Sequence, residues 1–271
     1  MNTVLVTGIA VLDHVHRMAA LPEGGRKHRS TAFAEVVGGC AAIAALAVAR
    51  LGGQAILATR LGDDGPGRAI RDALEAEGVD LGPTVTRGTT PISSVMVDDS
   101  GERMIVNFPG AGLADAPGPL PGADAILTDT RWGGVHAMAH ARRLGVPGLL
   151  DGEPPTDPEA ARLATHVVFS APGLAAFPGG LDAVPGEAAV TDGARGCRWR
   201  DGDWMAPPAV EVVDTLGAGD VWHGAFALAL AEGTGRAAAT RFANAAGSAK
   251  CANGGGGLGA PTRTQVEALL A

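Results

Sequence analysis

The chain has 271 residues, a formal charge of −8, 46% hydrophobic and 18% charged residues, and no Tyr. Apolar content at this level without a long charged block excludes a disordered chain, and the acidic balance excludes a general nucleic-acid binder. The longest charge-free helical runs, Gly38 to Ala49 and Val221 to Ala231, fall short of the ~20 residues that cross a bilayer.

From the N-terminus, Met1 to Val6 lacks a basic stretch and a cleavage pattern, so it reads as a first strand rather than a leader. Thr3 to Thr7 is a β-branched run ending at Gly8. Between Asp13 and Val37 no helix is evident. An Ala-rich helix spans Ala41 to Leu51 and stops at Gly52-Gly53. A strand follows at Ala55 to Thr59. Asp63 and Asp64 read as a turn or cap for a helix at Pro66 to Glu77, which has Pro at its start, Gly78 as a stop, and Ala69, Ile70, Ala73 and Leu74 on one face. Ile92 to Val97 and Glu102 to Phe108 form a hairpin across Asp98-Asp99-Ser100-Gly101. The Pro/Gly-rich segment Ala111 to Gly122 returns the chain to the core.

Short apolar runs then recur at Ala125 to Thr128, Gly148 to Leu150, His166 to Phe169 and Ala188 to Thr191, with helical stretches between several of them. His136 and His140 share a helix face, but without the Glu of His-Glu-x-x-His they read as a solvated face. A second hairpin spans Cys197 to Met205, turning at Asp201-Gly202. A strand is expected at Val210 to Val213. The strand–helix alternation predicts one α/β domain over residues 1–271, with a mostly parallel sheet covered on both faces. Residues of about 11–37 and 90–110 are expected to form a small antiparallel sheet standing off it. Cys40, Cys197 and Cys251 are widely separated and odd in number, which fits neither a disulfide framework nor a Cys-x-x-Cys zinc site. A reduced, cytoplasmic setting is expected.

The most informative segment is Asp214-Thr215-Leu216-Gly217-Ala218-Gly219-Asp220, followed by the apolar run Val221 to Leu230. Gly217, Ala218 and Gly219 leave backbone N–H groups uncovered at a helix N-terminus, an anion site. Asp220 puts a carboxylate beside any bound phosphate, where it can take a proton from an attacking hydroxyl. The bland alternative is an N-cap Asp with glycines for close packing. Other phosphate sites are excluded. A P-loop needs Gly-Lys-Ser/Thr, and the only lysines are Lys27, after Arg26, and Lys250, after Ala249. Gly8-Ile9-Ala10-Val11 does not supply a dinucleotide fingerprint.

Asp214 to Asp220 resembles the C-terminal signature of the ribokinase-like (PfkB) carbohydrate kinases. Gly38-Gly39 with Cys40 to Gly52 resembles that family's Gly-Gly helix on the sugar side, and Gly62-Asp63-Asp64-Gly65-x-Gly67 its following turn. The resemblance runs from about Gly8 to Gly257. It implies a three-layer α/β/α sandwich with a small β-sheet lid, ATP as donor, a sugar hydroxyl as acceptor, and Mg²⁺ bridging the donor phosphates. On this reading Asp220 is the catalytic base, and Gly217, Ala218 and Gly219 form the anion hole. Asp13, Gly38 and Gly39 bind the sugar. Thr191, Gly193 and Gly196 flank the nucleotide, and Asn244, Gly254 and Gly255 lie near adenine. Asp214 would neighbour a K⁺ ion in members that use one.

Two positions depart from the family pattern. Ile43 stands where Asn is frequent, and Ser170-Ala171-Pro172-Gly173 replaces the usual Asn-x-x-Glu, which leaves the metal contacts open. Thr128 to Trp132, Leu150-Asp151-Gly152-Glu153, Ser170 to Leu174 and Gly196-Cys197-x-Trp199 are similar to the sulfofructose kinase subgroup. That similarity points to an anionic ketose such as 6-deoxy-6-sulfofructose, with Lys27, Asn107 and Arg131 as the anion clamp. A 6-phosphosugar, ribose, fructose or a nucleoside are the alternatives, as is a non-catalytic regulator on the same fold. Open edges on the lid strands would permit a homodimer.

Overall fold

The computed structural model describes all 271 residues. Its strands, in chain order, are β1 (Thr3–Thr7), β2 (Val11–Arg17), β3 (Ala32–Gly38), β4 (Gln54–Ala58), β5 (Arg60–Leu61), β6 (Val85–Thr86), β7 (Ile92–Val97), β8 (Arg103–Phe108), β9 (Ala125–Thr128), β10 (Gly148–Gly152), β11 (His166–Ser170), β12 (Glu187–Thr191), β13 (Cys197–Trp199) and β14 (Trp204–Met205). The helices are α1 (Cys40–Arg50), α2 (Gly65–Ala76), α3 (Gly134–Leu144), α4 (Pro158–Leu163), α5 (Ala171–Ala176), α6 (Ala218–Ala231), α7 (Arg236–Ala252) and α8 (Arg263–Ala268).

Eight strands form the main sheet in the order β14-β13-β12-β11-β10-β9-β1-β4. It is parallel from β12 to β4, and the β13–β14 hairpin adds antiparallel strands at one edge. Strand residues alternate between two apolar layers because successive side chains point to opposite faces. Val4, Val6, Leu127, Leu149 and Val168 pack with α1, α6 and α7 on one side. Leu5, Ile126, Leu150, Val167 and Phe169 pack with α3 and α4 on the other. The result is a three-layer α/β/α sandwich.

A second sheet, β3-β2-β7-β8, holds the segments expected to form a small antiparallel sheet, but it is mixed, because the long connection from β2 to β7 brings those two strands together in parallel. Its polar rung aligns Asp13 with Ser93, and Ser93 with Asn107. The stretch Val210 to Val213 is not a strand. It lies beyond the last sheet strand with Val212 and Val213 exposed, and the Val213 N–H donates to Cys251 O at the end of α7. His140 is buried rather than solvated, because its ring faces Pro121 O at 2.8 Å and the Arg143 guanidinium.

Candidate active site

The site forms where the C-terminal ends of β1, β9 and β10 meet the N-termini of α1 and α6. Small residues let these helices touch: a Cβ on Gly224 would lie 2.5 Å from Ala44 O. Backbone and carboxylate also approach closely at the strand ends, since a Cβ on Gly8 would meet Asp129 Oδ2 at 2.2 Å. The result is a narrow crevice lined by Cys40, Asp129, Asp151, Asp220 and His223. Cys40 Sγ and carboxylate oxygens of Asp151 and Asp220 all lie within 4.8 Å of one another.

Three carboxylates facing one crevice raise each other's proton affinity, and burial adds to the effect. The Asp220 carboxyl is pushed up to about 6 by burial and then by Asp151, against the opposing pull of His223 and the Cys40 thiol. Asp151 rises to about 6 chiefly through burial, eased by His223. Asp129 also reaches about 6, although it accepts from the N–H groups of Ile9 and Arg131, each at 2.8 Å. Burial and the three aspartates hold the Cys40 thiol well above its ordinary range, so it stays protonated beside Asp220 and is no nucleophile. His223 donates from Nδ1 to Gly219 O at 2.8 Å, while Nε2 faces Val168 O at 3.3 Å and Asp151 Oδ1 at 3.6 Å. Asp151 Oδ1 has no hydrogen-bond partner.

Beside Asp220, α6 opens without a side-chain cap, and Gly217 takes a left-handed φ of 80°. Ala218 N–H returns to Thr215 O at 3.2 Å and Val221 N–H to Gly217 O at 2.9 Å. The N–H groups of Gly217, Gly219 and Asp220 donate to nothing within the protein. Of the expected anion-hole members, Gly217 and Gly219 therefore present free donors, Ala218 does not, and Asp220 contributes its own N–H. No atom lies within 4 Å of a Cβ built on Gly219, so the space above this turn is open. Free donors at the positive end of a helix make a cradle for a phosphoryl group. Ile43, standing where the family pattern has Asn, packs behind the cradle at 3.2 Å from a Cβ position on Gly217.

Opposite this cradle, Asp13 lies on the inward face of the second sheet. Burial raises its carboxyl, while the Ser93 hydroxyl and His14 oppose that rise. Asn107 donates to Ser93 Oγ at 3.1 Å and to Ile92 O at 3.3 Å. Gly38 must lack a side chain, because its Cβ would fall 2.0 Å from Asp13 Oδ2. Gly39 has φ 92°, and its Cβ would fall 2.5 Å from Ile9 O. The three members of the expected anion clamp come from three separate elements. Asn107 is on the Asp13 rung, and Arg131 is exposed near Asp129 and Cys40. Lys27 lies in an exposed loop beyond the opposite end of β2 and β3. Farther along the inward face, Arg17 and Arg103 line a cleft of about 750 Å³ with Val212 to Leu216, Gly255 and Gly256.

Among the expected nucleotide-side residues, Thr191 ends β12 and donates to Phe169 O at 3.3 Å. Gly193 and Gly196 shape the following turn; a Cβ on Gly196 would lie 2.0 Å from Met205 O. Asn244 is buried with both ends of its amide used inside the protein: Oδ1 accepts from Trp222 Nε1 and Nδ2 donates to Met205 O, each at 2.7 Å. Its role in the structure is to tie α6, α7 and β14. Gly254 and Gly255 lead into a loop whose Gly256 N–H donates to Asp214 Oδ2 at 3.0 Å.

Asp214 also accepts from the Leu216 N–H at 2.9 Å, and the Lys250 ammonium reaches its main-chain O at 3.2 Å and its Oδ2 at 3.4 Å. Burial would push the Asp214 carboxyl up, but these N–H groups and the ammonium carry it below the usual range. Lys250 is fully buried. A K⁺ ion taking the same oxygens would stand against this fixed positive charge, so the residues present do not fit one. For a divalent cation, Ser170 Oγ is occupied in capping α5 through the Gly173 N–H at 3.0 Å. Glu153, just past β10, is close enough to raise both Asp151 and Asp220. It would be the carboxylate to hold a divalent cation beside these aspartates.

Sequence reasoning missed Asp129, Asp151, Glu153, Ser93, Arg17, Arg103 and Lys250 as parts of this region. The first two were findable, as each follows an apolar strand at its C-terminal end, where open α/β sheets bind ligands.

An uncapped helix N-terminus with a buried carboxyl of raised proton affinity beside it, under a small second sheet, is in keeping with a phosphotransferase acting on an alcohol. The sequence pattern of the pfkB family carbohydrate kinases matches residues 1–126 and 155–263. The chain belongs to that family. It is 31% identical to the ribokinase of Bacillus subtilis over 296 aligned positions, covering all of both chains. It is 32% identical to the ATP-dependent ribose-1-phosphate kinase of Halopiger xanaduensis, covering all of this chain and 98% of the other. The crystal structure of a putative ribokinase from Agrobacterium tumefaciens superposes with a TM-score of 0.90 at 36% identity, over 99% of this chain and 97% of that one.

Proposed function

We propose that the protein transfers the γ-phosphoryl group of ATP to a hydroxyl of a neutral sugar of the ribose or fructose type. The observation that carries this reading is the Asp220 carboxyl, raised to about 6, beside the free N–H groups of Gly217, Gly219 and Asp220. Above pH 6 the carboxylate is ionised yet more basic than a solvated one. It takes the proton from the attacking hydroxyl while the cradle holds the developing negative charge. A bound Mg²⁺, held at Glu153, would neutralise the donor phosphates.

The sugar sits between Asp220 and the Asp13–Ser93–Asn107 rung, whose acceptors and donors suit hydroxyl groups. ATP lies on the side of Thr191 to Gly196 and the Gly254–Gly255 loop. The second sheet acts as a lid that excludes water. Its outward face exposes Phe33, Met104, Val106 and Phe108, and a second copy joining there would cover them. Light scattering at micromolar concentration tests that dimer.

A second reading, a sugar bearing an anion, rests on Arg131 at the crevice. The name of the Halopiger relative, a kinase of a sugar phosphate, is in keeping with it. The sulfofructose form of that reading would also need Lys27, which lies in the exposed loop joining β2 and β3. ATP turnover against ribose, fructose, 6-deoxy-6-sulfofructose, fructose 6-phosphate, ribose 1-phosphate and nucleosides separates these readings. The neutral sugars are expected to have at least about tenfold the kcat/KM of the anionic ones, about 1.4 kcal/mol of transition-state binding. A preference for an anionic sugar that Arg131→Ala abolishes would replace the first reading with the second. No turnover with any acceptor would leave a non-catalytic binding protein.

A further inference from the structure

We propose that the Lys250 ammonium is a built-in monovalent cation, fixing the turn that carries the phosphoryl cradle and making the protein independent of K⁺. Lys250 and Lys27 are the only lysines, and the two have opposite settings. Lys27 is exposed on a loop, whereas Lys250 is fully buried in the last turn of α7, with its Cε 3.4 Å from a Cβ position on Gly259. Burying a charge without a partner is costly, so the place of the ammonium identifies its task. Its two hydrogen bonds both go to Asp214, one to the main-chain O and one to Oδ2.

Through Asp214 the charge reaches two loops at once. Asp214 Oδ1 accepts from Leu216 N–H, next to the cradle residue Gly217. Asp214 Oδ2 accepts from Gly256 N–H in the glycine loop, which runs beneath β3 and packs against Ile43 at the neighbouring Gly257. A positive charge held by one carbonyl and one carboxylate, and so linking two loops, is what a bound alkali cation would provide. Here the charge is covalent, so it cannot dissociate when external K⁺ falls. Lys250 touches neither the cradle N–H groups nor Asp220 and is a positioning residue acting through Asp214.

The test compares K⁺ with tetramethylammonium at constant ionic strength, on the full-length protein, by melting temperature and by ATP-dependent sugar turnover. For the native protein both readouts are expected to be unchanged, within about 20%, between 0 and 100 mM K⁺. A severalfold rise in turnover with K⁺ would overturn the proposal without any variant. Lys250→Met should lose most of its kcat in tetramethylammonium with a smaller change in sugar KM. K⁺ or NH₄⁺ should restore kcat and raise the melting temperature, because they refill the vacated charge. A folded Lys250→Met that is equally impaired in every cation would contradict the proposal. Only the rate readout rests on the kinase reading; the melting readout distinguishes failure of the lysine's role from failure of that reading.

Discussion

Asp214 and Asp220 stand at the two ends of one turn, and their carboxyls are held in opposite states. Asp214 accepts two N–H groups and faces a buried ammonium, which carries it below the usual range despite burial. Asp220 faces Asp151 in a buried crevice, and its carboxyl rises to about 6. The same residue type is held ionised in one place and given a raised proton affinity in the other. Hydrogen-bond supply and neighbouring charge decide the difference, since burial alone raises both.

The contrast breaks most visibly at Asp220. Asp220→Asn should cut kcat by about 10²–10⁴-fold, the usual contribution of a positioned base, while calorimetric ATP affinity stays within about twofold. At the other end, Asp214→Ala leaves the Lys250 ammonium buried without a carboxylate. A loss of about 3–5 kcal/mol in stability is expected from urea unfolding, larger than any effect of Asp220→Asn on the same measurement. Gly38→Ala forces a methyl into the Asp13 carboxylate. It should raise the sugar KM about tenfold, about 1.4 kcal/mol, with ATP KM unchanged in steady-state kinetics.

Asp151 provides the finest adjustment. With carboxyls raised to about 6, Asp151 and Asp129 keep protons in the folded chain that the unfolded chain releases at about pH 4. Their contribution to stability is complete below that value and is lost as the pH rises through 6. Asp151→Asn should therefore melt above the native protein at pH 8, with the difference vanishing near pH 4. Removing that neighbouring charge should also move the acidic limb of kcat/KM, expected near pH 6 for the native protein, to lower pH.

Much of the α/β frame is legible in the sequence because its strands are short apolar runs bounded by Gly, Pro or Asp. Ile92 to Val97 and Ala125 to Thr128 coincide with β7 and β9. Val210 to Val213 has the same local composition, yet its partner is a helix end and it forms no ladder. Such a difference is tertiary and leaves no trace in a short window. The cradle at Gly217 to Asp220 is legible because it is contiguous. The carboxylate crevice joins Asp129, Asp151 and Asp220 from three distant segments, so no spacing announces it. In the sequence Lys250 stands out only as a lysine after Ala249 that makes no P-loop, and only the fold brings it to Asp214, 36 residues away.

The most direct test is a titration of carboxyl ¹³C resonances in protein labelled at Asp, with Asp214→Asn and Asp220→Asn assigning the two signals. The account predicts that the Asp220 signal titrates near pH 6, together with that of Asp151, while the Asp214 signal remains ionised below pH 3.8. Two signals titrating together near the ordinary aspartate value of about 3.9 would contradict it.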